Sequence, residues 1–201
     1  YGMPIGEELT ICISADAALS NVKFFSETNK SSLVINHSTT RLADDIAEKY
    51  GTEVFRSPVG EINVVNKMKE SNALIGGEGS GGVILPALHY GRDSLAGISL
   101  VLLRLAQTGL TLSELKASYP VYTMIKTKMP FSGSILAIIE KFKRLFNDAE
   151  ILIEDGMKAI YKDRWIQIRT SNTEPIIRII SEAPNEKNAG DLIQLASGII
   201  K

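Results

Sequence analysis

The sequence predicts an α/β fold in two domains: an α/β sheet domain over residues 1–117, and a small α+β domain over residues 118–201 with helices on an antiparallel sheet. In the first half, short apolar runs alternate with helical segments, which is typical of βαβ units with parallel strands. Two prolines and the lack of a helical period mark residues 118–133 as an inter-domain connection. The remaining residues have the pattern of a helix, an antiparallel meander and a final helix.

The first domain begins with strands and helices in alternation. β-Branched and apolar runs predict strands at residues 32–36 and 52–57, and a third strand from residue 72 that runs into a glycine-rich loop. A helix lies between each pair of strands. Thr39 or Thr40 can cap the first of these helices.

Two further helices of the first domain have clear end signals. Asp93 or Ser94 can cap a long apolar helix, and Gly109 ends it. Thr111 and Glu114 have the spacing of a capping box for a short helix that follows.

The second domain is predicted to be a meander between two helices. Its turns are expected at Asp155-Gly156 and at Lys162-Asp163, because these pairs separate apolar or alternating runs. The predicted helices cover residues 134–146 and Glu186 to Ile200.

Composition excludes several functional classes. A net charge of −1 with 22% charged residues gives no support for binding to nucleic acid or to an anionic membrane. The single cysteine, Cys12, cannot form an internal disulfide and fits a reducing compartment. No secretory signal or membrane-spanning run is visible, so a cytoplasmic location is expected.

The stretch RTSNTEPIIR, residues 169–178, holds many hydrogen-bond donors between two predicted strands. An arginine fork, two hydroxyl groups and an amide suit a phosphate dianion, since charge-assisted bonds are about twice as strong as neutral ones. The alternative is an ordinary turn, in which the polar side chains satisfy local backbone groups and Arg169 pairs with Glu174. The residue types alone favour neither.

The stretch GGEGSGG, residues 76–82, has two functional side chains among its glycines, Glu78 and Ser80. A carboxylate can accept from adjacent sugar hydroxyls, and glycines let the backbone approach a ligand. The spacing is neither a phosphate-cradling P-loop nor a dinucleotide fingerprint. A solvent-exposed loop is the alternative. Elsewhere, His37, His89 and Cys12 lack metal-ligand spacing, and no nucleophile-base pair is evident.

Together, the two loops, their order and their separation resemble the α-D-phosphohexomutase superfamily. GGEGSGG is similar to the sugar-recognition loop of its third domain, and RTSNTEPIIR is similar to the phosphate-binding loop of its fourth. The segment 59–69 and Asp155-Gly156 resemble family segments as well. The resemblance covers essentially the whole chain and is nearest to the phosphoglucosamine mutase branch.

The resemblance implies roles for individual residues. Glu78 and Ser80 would contact the sugar hydroxyls, whereas Arg178 would be structural. The residues that would bind the phosphate group that is not transferred are Arg169, Ser171, Asn172 and Thr173. Many relatives have histidine where this chain has Gly82, and some have histidine where it has Glu61, so the sugar remains open.

The resemblance also implies a reaction. Family members interconvert hexose 6- and 1-phosphates, here of glucosamine, through a phosphoserine and a bisphosphate intermediate, with Mg²⁺ as cofactor. The serine loop and the aspartate-rich metal loop are absent from this sequence, so the chain is expected to be the C-terminal two domains and inactive alone. Its expected partners are a hexose phosphate substrate and the N-terminal domains of the same protein.

Other functions remain open at this point. The chain could serve a phosphomannomutase or phosphoglucomutase of the same family. It could also be a stand-alone, non-catalytic module that binds phosphosugars, or a purely structural domain.

Overall fold

A computed structural model describes residues 2–26, 31–171 and 174–200. The chain divides into two compact units, of which the first ends at Pro120 and the second begins at Val121. This division falls within the segment that was expected to connect the domains. No helix in the described ranges combines the length and the apolar character that a membrane crossing requires.

The first unit is a four-stranded sheet with helices packed against it. Its elements in chain order are α1 (Glu8–Leu19), α2 (Val22–Phe25), β1 (Ser32–Asn36), α3 (Leu42–Lys49), β2 (Glu53–Ser57), α4 (Glu61–Ser71), β3 (Ile75–Gly77), β4 (Val83–Ile84), α5 (Ser94–Thr108) and α6 (Leu112–Ala117). The strand order is β2-β1-β3-β4, with β1 parallel to β2 and to β3, and β4 antiparallel to β3. The predicted α/β sheet domain with parallel neighbours is therefore confirmed.

The central strand β1 positions the rest of the sheet. All five of its residues are buried, so both faces of the sheet are covered. Val34 packs with Val64 and Met68 of α4 on one face. Its neighbours along the strand point to the opposite face, because side chains alternate.

Helix α1 has no counterpart among the predicted elements. Nine consecutive residues, from Ile11 to Leu19, are buried, and the helix packs on α3, α5 and β3. A helix that is covered on all sides has no polar face and therefore no amphipathic period in its sequence. Pattern alone cannot identify such a helix.

A buried carboxylate ties α1 to three other parts of the first unit. Asp16 accepts hydrogen bonds from Tyr50 Oη (2.6 Å) and Tyr119 Oη (2.7 Å). The Asp16 carboxylate also accepts from Lys49 Nζ (3.1 Å) and from Arg104 Nε (2.6 Å). Burial by itself raises the pKa of Asp16, but these donors outweigh it and hold the pKa below its ordinary value.

The second unit is an antiparallel sheet covered by two helices. Its elements are β5 (Thr123–Pro130), α7 (Ile135–Leu145), β6 (Glu150–Leu152), β7 (Met157–Ile160), β8 (Trp165–Thr170), β9 (Ile176–Ala183) and α8 (Glu186–Ile200). The strand order is β5-β9-β8-β7-β6. Ile138 and Phe142 of α7 and Leu192 of α8 form the core with the sheet. The predicted meander between two helices is confirmed.

Strand β5 corrects one expectation, because residues 118–133 were predicted only as a connection. Residues 126, 128 and 130 are exposed and alternate with partly buried ones, as in a strand with one covered face. β5 is an edge strand that pairs only with β9, and Pro130 is its last residue. A proline is tolerated there because an edge position needs fewer N–H donors.

Several predicted helix ends are confirmed in detail. The side chain of Asp93 accepts from Leu95 N–H (2.7 Å) and so caps α5, and Gly109 ends this helix with φ of 69°. Thr111 and Glu114 form the capping box of α6.

Candidate functional site

Glu78 is buried at the start of the loop that follows β3, with 7% of its surface exposed. Its Oε1 accepts from Asn36 Nδ2 (2.9 Å) and from Gly60 N–H (3.1 Å). Across the described residues, no donor bonds its second oxygen, Oε2. The carboxylate is therefore fixed through one oxygen, and the other can accept from a ligand.

The residues around Glu78 come from the carboxyl ends of parallel strands. Asn36 ends β1, Gly60 lies between β2 and α4, and Glu78 follows β3. Ligands bind at this edge in open α/β sheets. Thr39 Oγ1 donates to Asn36 Oδ1 (2.9 Å) and accepts from Gly79 N–H (3.0 Å), which orients the Asn36 amide toward Glu78. A polar residue at the end of a buried strand is the sequence signal that could have identified Asn36.

The glycine loop (residues 76–82) is shaped by close packing as well as by local backbone conformation. A Cβ at Gly79 would collide with the carboxylate of Glu8, and a Cβ at Gly77 would collide with the Gly82 carbonyl. Ser80 is exposed at the tip of the loop. The structure thus separates a buried, anchored Glu78 from an exposed Ser80, and both remain predicted sugar contacts.

The arginine loop (residues 169–178) begins at the end of β8. Arg169 is directly opposite Arg178 on β9, and Arg178 is directly opposite Lys128 on β5. Their neighbours Ile168 and Ile177 belong to the core under the helices, so the three cations lie on the other face of the sheet. We call Lys128, Arg178 and Arg169 the cation row.

The cation row contains more positive charge than its neighbours neutralise. Arg169 Nε is buried and has no hydrogen-bond partner among the residues that the structure describes. Glu174 contacts Arg178 Nη2 at 3.4 Å, and the alternative pairing of Glu174 with Arg169 does not occur in the structure. Like charges directly opposite on neighbouring strands repel each other. A bound anion would relieve this repulsion and give Arg169 Nε a partner.

The other predicted phosphate ligands lie next to the cation row. Ser171 is half-buried immediately after β8, and its N–H donates to the Ile176 carbonyl (3.0 Å). Asn172 and Thr173 lie outside the described residues, so their assignment stays a prediction. Gly156 has φ of 73° and packs against the backbone of Arg169, where a Cβ would collide with the Ile168 carbonyl.

The two loops differ in what they can bind. The glycine loop offers a carboxylate acceptor and a hydroxyl group, which suit sugar hydroxyls, whereas the cation row suits an anion. In residues 2–26, 31–171 and 174–200, no three histidine, cysteine, aspartate or glutamate side chains are grouped to hold a metal ion.

Comparison with known proteins identifies the same two domains. Residues 7–122 match the family model described as phosphoglucomutase/phosphomannomutase, alpha/beta/alpha domain III. Residues 124–195 match the model described as phosphoglucomutase/phosphomannomutase, C-terminal domain.

Relatives are similar in sequence over most of this chain. A phosphoglucomutase/phosphomannomutase from Thermococcus kodakarensis is 36% identical over 100% of this chain and 43% of its own length. A phosphoglucosamine/phosphogalactosamine mutase from Sulfurisphaera tokodaii is 32% identical over 82% of this chain and 37% of its own length. The chain thus spans less than half the length of these relatives.

Solved structures share the fold. A phosphoglucomutase/phosphomannomutase family protein from Burkholderia thailandensis aligns over 100% of this chain and 42% of its own, with a TM-score of 0.76 and 22% identity. An N-acetylphosphoglucosamine mutase from Aspergillus fumigatus, in complex with GlcNAc-6P and magnesium, aligns over 97% of this chain and 43% of its own, with a TM-score of 0.70 and 14% identity. By its sequence matches, the chain belongs to the phosphoglucomutase/phosphomannomutase family of α-D-phosphohexomutases and comprises domain III and the C-terminal domain.

Proposed function

We propose that this chain is the sugar- and phosphate-binding part of a phosphoglucosamine mutase, which interconverts glucosamine 6-phosphate and glucosamine 1-phosphate. The observation that carries the proposal is the cation row with its buried Arg169 Nε, which has no partner in the described part of the chain. Phosphosugar relatives with glucosamine in their names support the choice of sugar.

In this proposal the cation row binds the phosphate group that does not react. Such a site must accept both the 6-phosphate and the 1-phosphate, because an intermediate with two phosphates turns over between the two half-reactions. Arginine and lysine suit this requirement, since they respond to charge and phosphate geometry and not to ring stereochemistry. Glu78 recognises the ring by accepting from its hydroxyl groups through Oε2.

The reacting phosphoryl group is handled elsewhere in the longer protein. We propose that a phosphoserine and the Mg²⁺ that offsets the charge of the transferred group belong to N-terminal domains, since the chain spans less than half the length of the relatives that it matches. This chain then binds and orients the substrate, and the hexose phosphate and the N-terminal domains are its partners.

Replacement of Arg169 by alanine in the full-length protein tests the proposal. Loss of a charged hydrogen bond costs roughly 1.5–3 kcal/mol, so the Kd values of both hexose phosphates should rise roughly 10- to 150-fold. The measurement is calorimetric titration with glucosamine 6-phosphate and glucosamine 1-phosphate. Arg164→Ala is the matched control, because Arg164 is a partly exposed arginine of the same unit. Its Nη1 lies 3.9 Å from Asp163 Oδ1. Unchanged affinities in Arg169→Ala would remove the phosphate assignment.

A second candidate is a mutase for glucose and mannose phosphates. It is favoured by the Thermococcus kodakarensis relative, whose 36% identity extends over the whole chain. Turnover of glucosamine, glucose and mannose 6-phosphates by the full-length protein separates the two candidates. Binding without turnover of any of these sugars would favour the non-catalytic module instead.

A further inference from the structure

Arg92 lies against the last residue of the glycine loop. A Cβ at Gly82 would be 2.5 Å from Arg92 Cδ and 3.2 Å from Arg92 Cγ, so the arginine stem occupies the space that a side chain at residue 82 would need. A side chain at residue 82 would therefore displace the Arg92 stem. The loop end in this chain is formed by Gly82 and Arg92 together.

Glu61 holds Arg92 in this place. Its Oε1 accepts from Arg92 N–H (3.1 Å) and its Oε2 accepts from Arg92 Nε (2.8 Å). These two bonds hold the pKa of Glu61 below its ordinary value, so the carboxylate stays charged at neutral pH. On the other side, Asp93 N–H donates to the Val83 carbonyl (2.9 Å), which ties the backbone beside Arg92 to β4.

The start of helix α4, where Glu61 lies, also connects Arg92 to Glu78. The N–H of Gly60 bonds Glu78 Oε1, and the next side chain, Glu61, bonds Arg92. One short segment thus fixes both the buried acceptor of the glycine loop and the cation at its end. Two contacts held by adjacent residues can be positioned accurately with respect to each other.

The outer end of Arg92 is available to a ligand. Among the described residues, no acceptor bonds Nη1 or Nη2, and the side chain is 51% exposed. Arg92 borders a cavity of about 390 Å³ that is lined by Gly81 and Gly82 of the glycine loop and by apolar side chains that include Ile98, Val101 and Leu102. Arg92 therefore adjoins open space at the end of the glycine loop.

We propose that Arg92 is a specificity-determining substrate contact, whose terminal nitrogens donate to an oxygen of the hexose ring bound by Glu78. This inference rests on the proposed function and adds the residue that selects the ring substituent. A guanidinium only donates and stays charged. At the ring carbon that it contacts, it therefore favours a hydroxyl group, whose oxygen can accept, over a carbon without an acceptor.

Replacement of Arg92 by glutamine, combined with monodeoxy substrates, tests the inference in the full-length protein. Calorimetric titration compares glucosamine 6-phosphate with its 3- and 4-deoxy analogues. In the wild type, removal of the contacted hydroxyl should weaken binding roughly 10- to 100-fold. In Arg92→Gln the parent sugar should bind more weakly by a similar factor, and that one deoxy penalty should fall to less than about threefold.

Two further variants keep the test specific. Gly82→Ala retains Arg92 but displaces its stem, so it should reduce the same deoxy penalty. Lys67→Gln is the control, because Lys67 is a partly exposed cation of α4 that pairs with Glu70 at 3.5 Å, and it should leave every penalty unchanged.

The outcomes separate this inference from the proposed function. If the wild type binds hexose phosphates but Arg92→Gln changes none of the deoxy penalties, the assignment of Arg92 is wrong and the proposed function stands. If the wild type binds no hexose phosphate at all, both are wrong. A thermal melt of each variant identifies losses that come from unfolding.

Discussion

Replacement of Glu78 by glutamine separates ligand binding from loop architecture. Glu78 Oε1 accepts from Asn36 Nδ2 and Gly60 N–H, whereas Oε2 has no partner within the described chain. Glutamine can keep its carbonyl oxygen at the Oε1 position and so retain both bonds. At the Oε2 position, however, an NH₂ donor replaces an acceptor, and the charge is lost.

The expected loss of activity follows from the different roles of the two Glu78 oxygens. A hydrogen bond to a charged group is worth roughly 1.5–3 kcal/mol, so kcat/KM should fall roughly 10- to 150-fold for every sugar that the full-length protein accepts, and the ranking of sugars should change. The fold should lose little, with a change in Tm below about 2 °C. Glu78→Ala should in addition lower the free energy of unfolding by roughly 1–3 kcal/mol for each donor left unpaired.

The assay is steady-state turnover of glucosamine, glucose and mannose phosphates, together with a thermal melt of each variant. Glu70→Gln is the control, because Glu70 is an exposed carboxylate of the same unit, with 68% of its side chain exposed. Wild-type kinetics in Glu78→Gln would refute the sugar contact and leave Glu78 as a structural anchor of the loop. A glutamine variant as unstable as the alanine variant would refute the account of the two oxygens.

Two further predictions concern charges outside the glycine loop. Asp16→Asn leaves Arg104 without its charged partner, so the free energy of unfolding should fall by roughly 3 kcal/mol. Urea titration followed by far-UV circular dichroism measures this change, and Asp44→Asn is the control because Asp44 is half-exposed. Because folding lowers the pKa of Asp16, its contribution to the free energy of unfolding is complete above pH 3.8, its ordinary pKa, and is lost as the pH falls through the lower folded pKa. An Asp16→Asn variant with unchanged stability and the same loss of stability in acid would contradict this. Lys128→Gln should weaken the binding of hexose 6-phosphate about two- to tenfold, which is the size of effect expected for one exposed charge pair. The difference in Kd between variant and wild type should shrink at high ionic strength. Equal Kd values at low salt would exclude Lys128 from phosphate binding.

Most secondary structure could be predicted because its signals are local. Asp93 and Gly109 define the ends of α5 through hydrogen bonds and backbone conformation that involve only nearby residues. The elements that the sequence did not predict are those whose identity depends on distant neighbours. Helix α1 is covered on all sides and lacks a polar face, and β5 is a strand only because β9 lies beside it.

The candidate site shows the same division. Sequence is sufficient to identify the side chains that can bind a sugar and a phosphate, because a carboxylate, a hydroxyl group and an arginine have that chemistry wherever they lie. How these side chains are combined depends on the three-dimensional fold. Strand register places Arg178 between Arg169 and Lys128, and the sheet edge brings Asn36 to Glu78. The physical reason is that side-chain chemistry belongs to single residues, whereas register and packing come from backbone pairing between segments far apart in the chain.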